Sequence, residues 1–379
     1  MSVPFRAASL LSGPHGRIED RSNNFTALRI ALAVFIVYGH ALMLPFGVEQ
    51  AGAWFAGIDG AVQYALDGFF ILSGYMLTAS LFRGAPLSGF AAARILRIFP
   101  GLIVTVLVLW LIVGPMETRL GLGAYLQQAQ TWWFPLAVIG QISPQATLPG
   151  VFDTHAMTYM NGPLWTIRYE LACYLAAGLL AAVGVWRRKA GVLGLTALVV
   201  AWSVIEAIAP YTGPLDDTLY AAARFGGGFL IGASAFALRD RLPLGAVPAL
   251  ALTGLAVLLA GTPLAMVSGQ VAVAYVLLWL GFVRLPGRAG AAVREVEDVS
   301  YGIYILHWPI GQVVLNAMPD IAPHVLFAAM LAGALGAGWL LRRYVELPAL
   351  ALKPRLSAVF STGFAGHART GARAGVPAE

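Results

Sequence analysis

The chain has 379 residues, 59% of them hydrophobic and only 11% charged, with a mean hydropathy of +0.76. Soluble globular chains usually carry about 25% charged residues, so this composition excludes an ordinary water-facing domain and points to a surface in contact with lipid. The net charge of +6 invites a nucleic-acid reading, but no basic patch interleaved with aromatics accompanies it; the single cysteine, Cys173, excludes intramolecular disulfides and cysteine metal clusters.

Ten apolar runs, each of about the length a spanning helix needs, follow one another along the chain. We therefore expect an all-α, polytopic membrane protein of about ten transmembrane helices: an N-terminal segment 1–26, a transmembrane domain 27–345, and a tail 346–379 expected to be disordered at its end. The first run, 27–46, contains "RIALAVFIVYGH". It is too long for a cleavable signal peptide and has no small-residue cleavage site after it. Its Arg29 and His40 lie eleven residues apart, three helical turns, and so share a face. The second run, 61–82, carries Asp67, and the third, 98–115, is entered through Arg94 and Arg97, which stand on one side of a helix at i,i+3. The segment 116–163 contains "TWWFP", suited to a bilayer interface. The fourth run, 164–183, opens in "GPLWTIRYE", which supplies Trp165, Arg168 and Glu170. Glu206 lies in the fifth run, 190–209, and Arg224 in the sixth, 218–238. Runs 246–262 and 265–283 are joined by a short turn; the ninth, 300–318, holds His307 with Tyr304 and Tyr301 one and two turns away, and 324–345 is the last. The runs are continuously apolar rather than alternating, which excludes a β-barrel.

Alternate connecting segments hold 20 of the 24 basic residues, and those between them hold only Arg119. This is the positive-inside pattern, and it implies cytoplasmic termini; the expected location is the bacterial cytoplasmic membrane. Ionisable residues within spans are costly and mark function by default. Counting from the span ends at 1.5 Å per residue puts His40, Asp67 and Glu170 each about 9 Å below the outer face, with Arg168 and Arg224 near that level. Arg29 lies about 16 Å beneath His40, at a basic inner mouth shared with Arg94 and Arg97, and His307 falls in the inner half of its span. Singly, Arg29 reads as a helix-end anchor and His40 as a packing residue. Their common face, and the shared depths around them, argue for a site.

Five stretches then carry a resemblance. Arg29-x10-His40, "LDGFFILSGYML" (66–77), "RILRIFP" (94–100), "GPLWTIRYELACYL" (162–175) and "SYGIYILHWP" (300–309) occur in order and are similar to the motifs of the acyltransferase-3 family, the ten-helix integral membrane acyltransferases. Arg94 and Arg97 are spaced Arg-x-x-Arg where many members have Arg-x-Arg, Thr166 stands for a serine, and Arg168 for a small or apolar residue.

The resemblance implies transfer of an acyl group, expected to be acetyl, from cytoplasmic acyl-CoA to a hydroxyl of a cell-surface or lipid-linked glycan. Acyl-CoA would be the donor substrate, with no permanently bound cofactor, no metal and no nucleic acid; the partners are acyl-CoA, the saccharide acceptor and membrane lipids. Guanidinium groups bind phosphate bidentately, so Arg29, Arg94 and Arg97, with His307 and Tyr301, are the expected donor-binding residues. A sugar hydroxyl needs a base to take its proton; His40 has the suitable pKa, with Asp67 or Glu170 expected to orient it. Arg168, Arg224 and Trp165 are assigned to the acceptor. A covalent acyl-histidine and direct attack both remain open. The rival reading is a secondary transporter or flippase using the buried charges, although neither inverted repeats nor paired broken helices are evident.

Overall fold

All ten apolar runs coincide with helices, because a backbone surrounded by lipid or packed protein must satisfy its own polar groups, and a helix does so within one segment. The computed structural model describes residues 23–361, with backbone only at 53–56 and 289. Arg6, Arg17, Arg21, Arg369, Arg373 and the tail end expected to be disordered lie outside the described residues. The principal helices are α1 (Phe25–Met43), α2 (Gly52–Phe82), α3 (Leu87–Val108), α4 (Ala129–Ile139), α5 (Ile167–Ala182), α6 (Lys189–Ile208), α7 (Asp216–Ala237), α8 (Ala246–Leu258), α9 (Ala265–Phe282), α10 (Gly287–Glu295), α11 (Ser300–Ala317) and α12 (Pro323–Leu341). Among the described residues there is no strand beyond an isolated bridge between Thr118 and Val151.

Among the described residues, six helical stretches are long and apolar enough to cross a membrane: Phe25–Met43, Gly57–Phe82, Leu87–Glu117, Lys189–Ile208, Ala265–Phe282 and Pro323–Ser361. The expected ten are not reached on length and composition, and the reasons differ. Helices α5 and α8 are short, at 16 and 13 residues. Helices α7 and α11 are diluted by Arg224 and glycines in one, and by His307, Gln312 and Asn316 in the other. Both bury most of their length against protein, so neither needs a uniformly apolar surface. Helix α6 is the converse, with only Val192 and Ser203 buried.

Helix α2 is the hub. It packs on α1, α7 and α9, while α1 also packs on α11 and α12, and α3 closes the bundle against α5, α11 and the chain beyond α12. The α2–α7 crossing is close enough that a Cβ at Gly74 would strike the Phe229 carbonyl, and one at Gly232 would strike that of Ile71. Small residues permit such approaches, and packing is what associates helices where water supplies no hydrophobic drive. At the start of α1, Asn24 donates from Nδ2 to the carbonyls of Leu280 (2.9 Å) and Val283 (2.8 Å), tying α1 to the end of α9. That clamp fixes the register of Arg29, five residues on.

Candidate active site

The site is built around a proline. Pro309 lies inside α11 and has no N–H to give the Ile305 carbonyl one turn back. Asn161 fills the gap, donating from Nδ2 to Ile305 O at 2.8 Å. Around it, Trp308 donates to Tyr159 O at 3.1 Å, and Gln312 donates to the carbonyls of Met157 (2.6 Å) and Tyr159 (3.0 Å). The loop before α5 is thus fastened to α11 beside His307.

His307 is fully buried and lies 2.7 Å from His40, Nε2 to Nδ1, with the two rings near parallel at 7°. Its other nitrogen, Nδ1, is 2.9 Å from the Ile303 carbonyl. A carbonyl only accepts, so His307 Nδ1 carries the proton and, in the neutral ring, its Nε2 accepts. His40 Nδ1–H must then be the donor. The lone pair of His40 is left on Nε2, the tautomer a general base requires. His40 and Trp165 line a cavity of about 200 Å³ together with Asp59, Gln63, Tyr159 and Trp308.

A second cavity, of about 420 Å³, holds the basic residues: Arg29, Arg94, Arg97, Arg342 and Lys353, with Glu170, Asp298 and Tyr301. Leu66 and Tyr304 line both cavities and form the partition between them. Tyr304 is latched to the start of α5, its hydroxyl 2.8 Å from Thr166 Oγ1 and 3.1 Å from Pro163 O.

The arginines differ in commitment. Arg97 donates to Asp298 at 2.8 Å and to the buried Glu346 at 2.9 Å, and Arg342 donates to the same Glu346 oxygen at 3.1 Å. Arg29 approaches Asp298 at 3.6 Å over the face of Phe69, and its Nε has no hydrogen-bond partner among the described residues. Arg94 lies over Tyr174, forms no ion pair among the described residues, and has a buried, unpartnered Nε. Asp298 also accepts from the Ser300 hydroxyl at 2.6 Å and from its N–H at 3.2 Å. Burial pushes the Asp298 carboxyl up, but Arg29, Arg97 and Ser300 outweigh it and hold the group well below the usual carboxylate range.

Several expectations need correction. Neither Asp67 nor Glu170 touches His40. Asp67, fully buried, forms a two-point pair with Arg224 (Oδ1–Nε 3.0 Å, Oδ2–Nη2 2.8 Å), and Gln270 donates to the Arg224 carbonyl. This pair lines neither cavity, so Arg224 is not placed at the acceptor. Glu170 faces the arginine cavity and accepts from the Tyr174 hydroxyl. A count along the helix axis gives height and not the face a side chain takes, and Glu170 takes the face toward the arginines. His307 stands beside His40 rather than in a lower layer, since seven residues into α11 is near its middle. Tyr301 lines the arginine cavity, but its hydroxyl is spent on Ile98 O at 2.8 Å. Arg168 lines neither cavity, and its Nε lacks a partner among the described residues. Sequence reasoning missed Asp298, Glu346 and Lys353; the last was counted only as a tail charge.

The profile of a family described as an acyltransferase domain matches residues 22–343. Nodulation protein 10 of Rhizobium leguminosarum bv. viciae is 31% identical over 184 residues, 45% of this chain and 47% of that protein, so the match spans about half of that relative's length. An O-acetyl transferase of Shigella phage Sf6 is 23% identical over 324 residues, 82% of this chain and 91% of that protein. No solved structure matches the chain.

Proposed function

The chain belongs to the acyltransferase family matched over residues 22–343, and on that premise we propose that it moves an acetyl group from cytoplasmic acetyl-CoA to a hydroxyl of a cell-surface or lipid-linked glycan. The family makes this a multi-pass membrane acyltransferase rather than a transporter. On the proposed topology both termini and the arginine cavity face the cytoplasm, the histidine cavity faces outward, and the membrane is the bacterial cytoplasmic one. The basic asymmetry of the loops supports that orientation.

One observation carries the reading: His40, paired through Nδ1 with His307, lines one cavity, and a cluster of cations lines another that shares Leu66 and Tyr304 with it. Coenzyme A brings several phosphate charges, which suit Arg94, Arg29 and Lys353, the cavity cations not fully engaged by carboxylates. Its thioester would reach His40 past Leu66 and Tyr304. The acceptor hydroxyl oxygen attacks the thioester carbonyl while His40 Nε2 takes its proton. Collapse of the tetrahedral adduct breaks the C–S bond and expels the thiolate, which recovers the proton as free coenzyme A thiol. His307 holds the His40 tautomer throughout and shares the imidazolium charge through the Ile303 carbonyl behind it.

The test uses purified protein in detergent with radiolabelled acetyl-CoA and a panel of candidate glycans. Label appearing in an O-acetylated glycan supports the reading. Vectorial movement of an unmodified glycan, with no coenzyme A released, would replace it with the flippase.

A further inference from the structure

The two cavities have opposite electrostatic character. Five cations line one of them. In the histidine cavity, the lining contains no lysine or arginine among the described residues, and Asp59 is its carboxylate. Asp59 and Gln63 stand one turn apart on α2 and share a face of that helix. Neither makes a hydrogen bond or ion pair with any described residue. Gln145 spends its Nε2 on Gly162 O, at 3.1 Å, and keeps its carbonyl free. The remaining surface includes the aromatic faces of Trp165, Tyr159 and Trp308.

A cavity of this kind has free hydrogen-bonding groups for hydroxyls and flat apolar walls for the ring that bears them. For an anion it offers the Gln63 amide but, among the described residues, no lysine or arginine. A carboxylate or phosphate seated beside His40 would lose its water, face Asp59, and find no cation to pair with. Selection against a competitor often comes from such a repulsive element rather than from added attraction.

We propose that the histidine cavity takes an uncharged sugar ring and rejects anionic sugars, with Asp59 and Gln63 as its specificity-determining residues. This rests on the acyltransferase reading above. Asp59 accepts from hydroxyls of the acceptor ring, and Gln63 both donates and accepts beside it. The volume of about 200 Å³ suits a single ring, so the rest of the glycan lies outside the cavity.

The experiment uses the full chain in detergent, radiolabelled acetyl-CoA, and matched methyl hexosides and methyl uronides in gluco, galacto and manno configurations, with the uronamides as neutral controls of equal size. Hydrolysis of acetyl-CoA, present in the wild type and lost in His40→Ala, reports the donor half separately. The expected result is kcat/KM for a hexoside and its uronamide at least about ten-fold above the uronide. In Asp59→Asn that ratio should fall toward unity, and in Gln63→Arg it should invert, in preparations with wild-type melting temperature. Equal use of uronide and hexoside would overturn the inference, as would a ratio unmoved by Asp59→Asn. Hydrolysis that persists without transfer to any neutral sugar would also overturn it and leave the acyltransferase reading standing. Loss of hydrolysis and transfer together in the wild type would overturn both.

Discussion

His40 and His307 are 267 residues apart in sequence and 2.7 Å apart in space, joined Nδ1 to Nε2, and the Ile303 carbonyl behind His307 sets the direction of every proton in the chain. His40→Ala is expected to lower transfer by about 10²–10⁴-fold with acetyl-CoA affinity retained. His307→Ala should lower kcat by about 10²-fold or more, as loss of a tautomer-fixing group does, and leave the donor KM unchanged. His307→Gln, whose amide oxygen can accept from His40, should recover part of that loss. Steady-state kinetics on the three variants check the assignment; a donor KM that rises with kcat unchanged would return His307 to the donor site.

Arg94 and Arg97 look alike in sequence and are not equivalent in the structure. Arg97 is held by Asp298 and Glu346, whereas Arg94 forms no ion pair among the described residues. Arg94→Ala should weaken acetyl-CoA binding by about 1.5–3 kcal/mol, the range for hydrogen bonds to charged groups, with little change in melting temperature. Arg97→Ala should chiefly destabilise, because it leaves the buried Glu346 with Arg342 alone. Calorimetric titration with a non-hydrolysable acyl-CoA, read beside thermal unfolding, separates the two outcomes.

The Asp67–Arg224 pair is a structural joint between α2 and α7. Removing one partner of a buried pair strands the other and typically costs about 3–5 kcal/mol. Asp67→Asn should therefore lower the melting temperature while the folded fraction keeps its turnover. Replacing both residues with apolar ones, Asp67→Leu with Arg224→Met, should restore much of the stability. Retained stability with lost turnover in Asp67→Asn would instead make Asp67 part of the chemistry.

Asp298 gathers Arg29, Arg97 and the first residue of α11. Because its folded pKa is depressed, its contribution to stability is present above the unfolded value, about 3.9, and is lost as pH falls through the folded one. The joint therefore persists through the neutral and mildly acid range and loosens only in strong acid. Melting temperature plotted against pH should fall less steeply below about pH 4 in Asp298→Asn than in the wild type.

The helices were legible because unbroken apolar runs leave a chain few alternatives, and the grouping of Arg29, Arg94 and Arg97 because each stands at the start of an apolar run. Those three do share one cavity. Partnership was not legible. Nothing near His40 in sequence indicates His307, and the charge of Asp67 gives no hint that it turns toward α7 rather than α1. Depth counting grouped Glu170 with His40, but height along a span does not reveal which cavity a side chain enters, and Glu170 lines the one with the arginines. Lys353 was hidden for a different reason: the rod Pro323–Ser361 continues past its expected end and carries that lysine back to the cavity.

A bilayer that stores a voltage tolerates no continuous water path, and Leu66 and Tyr304 are what the two cavities share. With the cavities opening to opposite sides, as proposed, the potential falls mainly across those two side chains, at about 2.3 kcal/mol per elementary charge for each 100 mV. The partition that a thioester must pass is then also electrical insulation, which bears on how it can be engineered. Leu66→Ala or Tyr304→Ala, introduced to admit a bulkier acyl chain, would be expected to discharge a proton gradient in sealed proteoliposomes. Widening this enzyme for a larger donor would cost its host energy before it gained a new product.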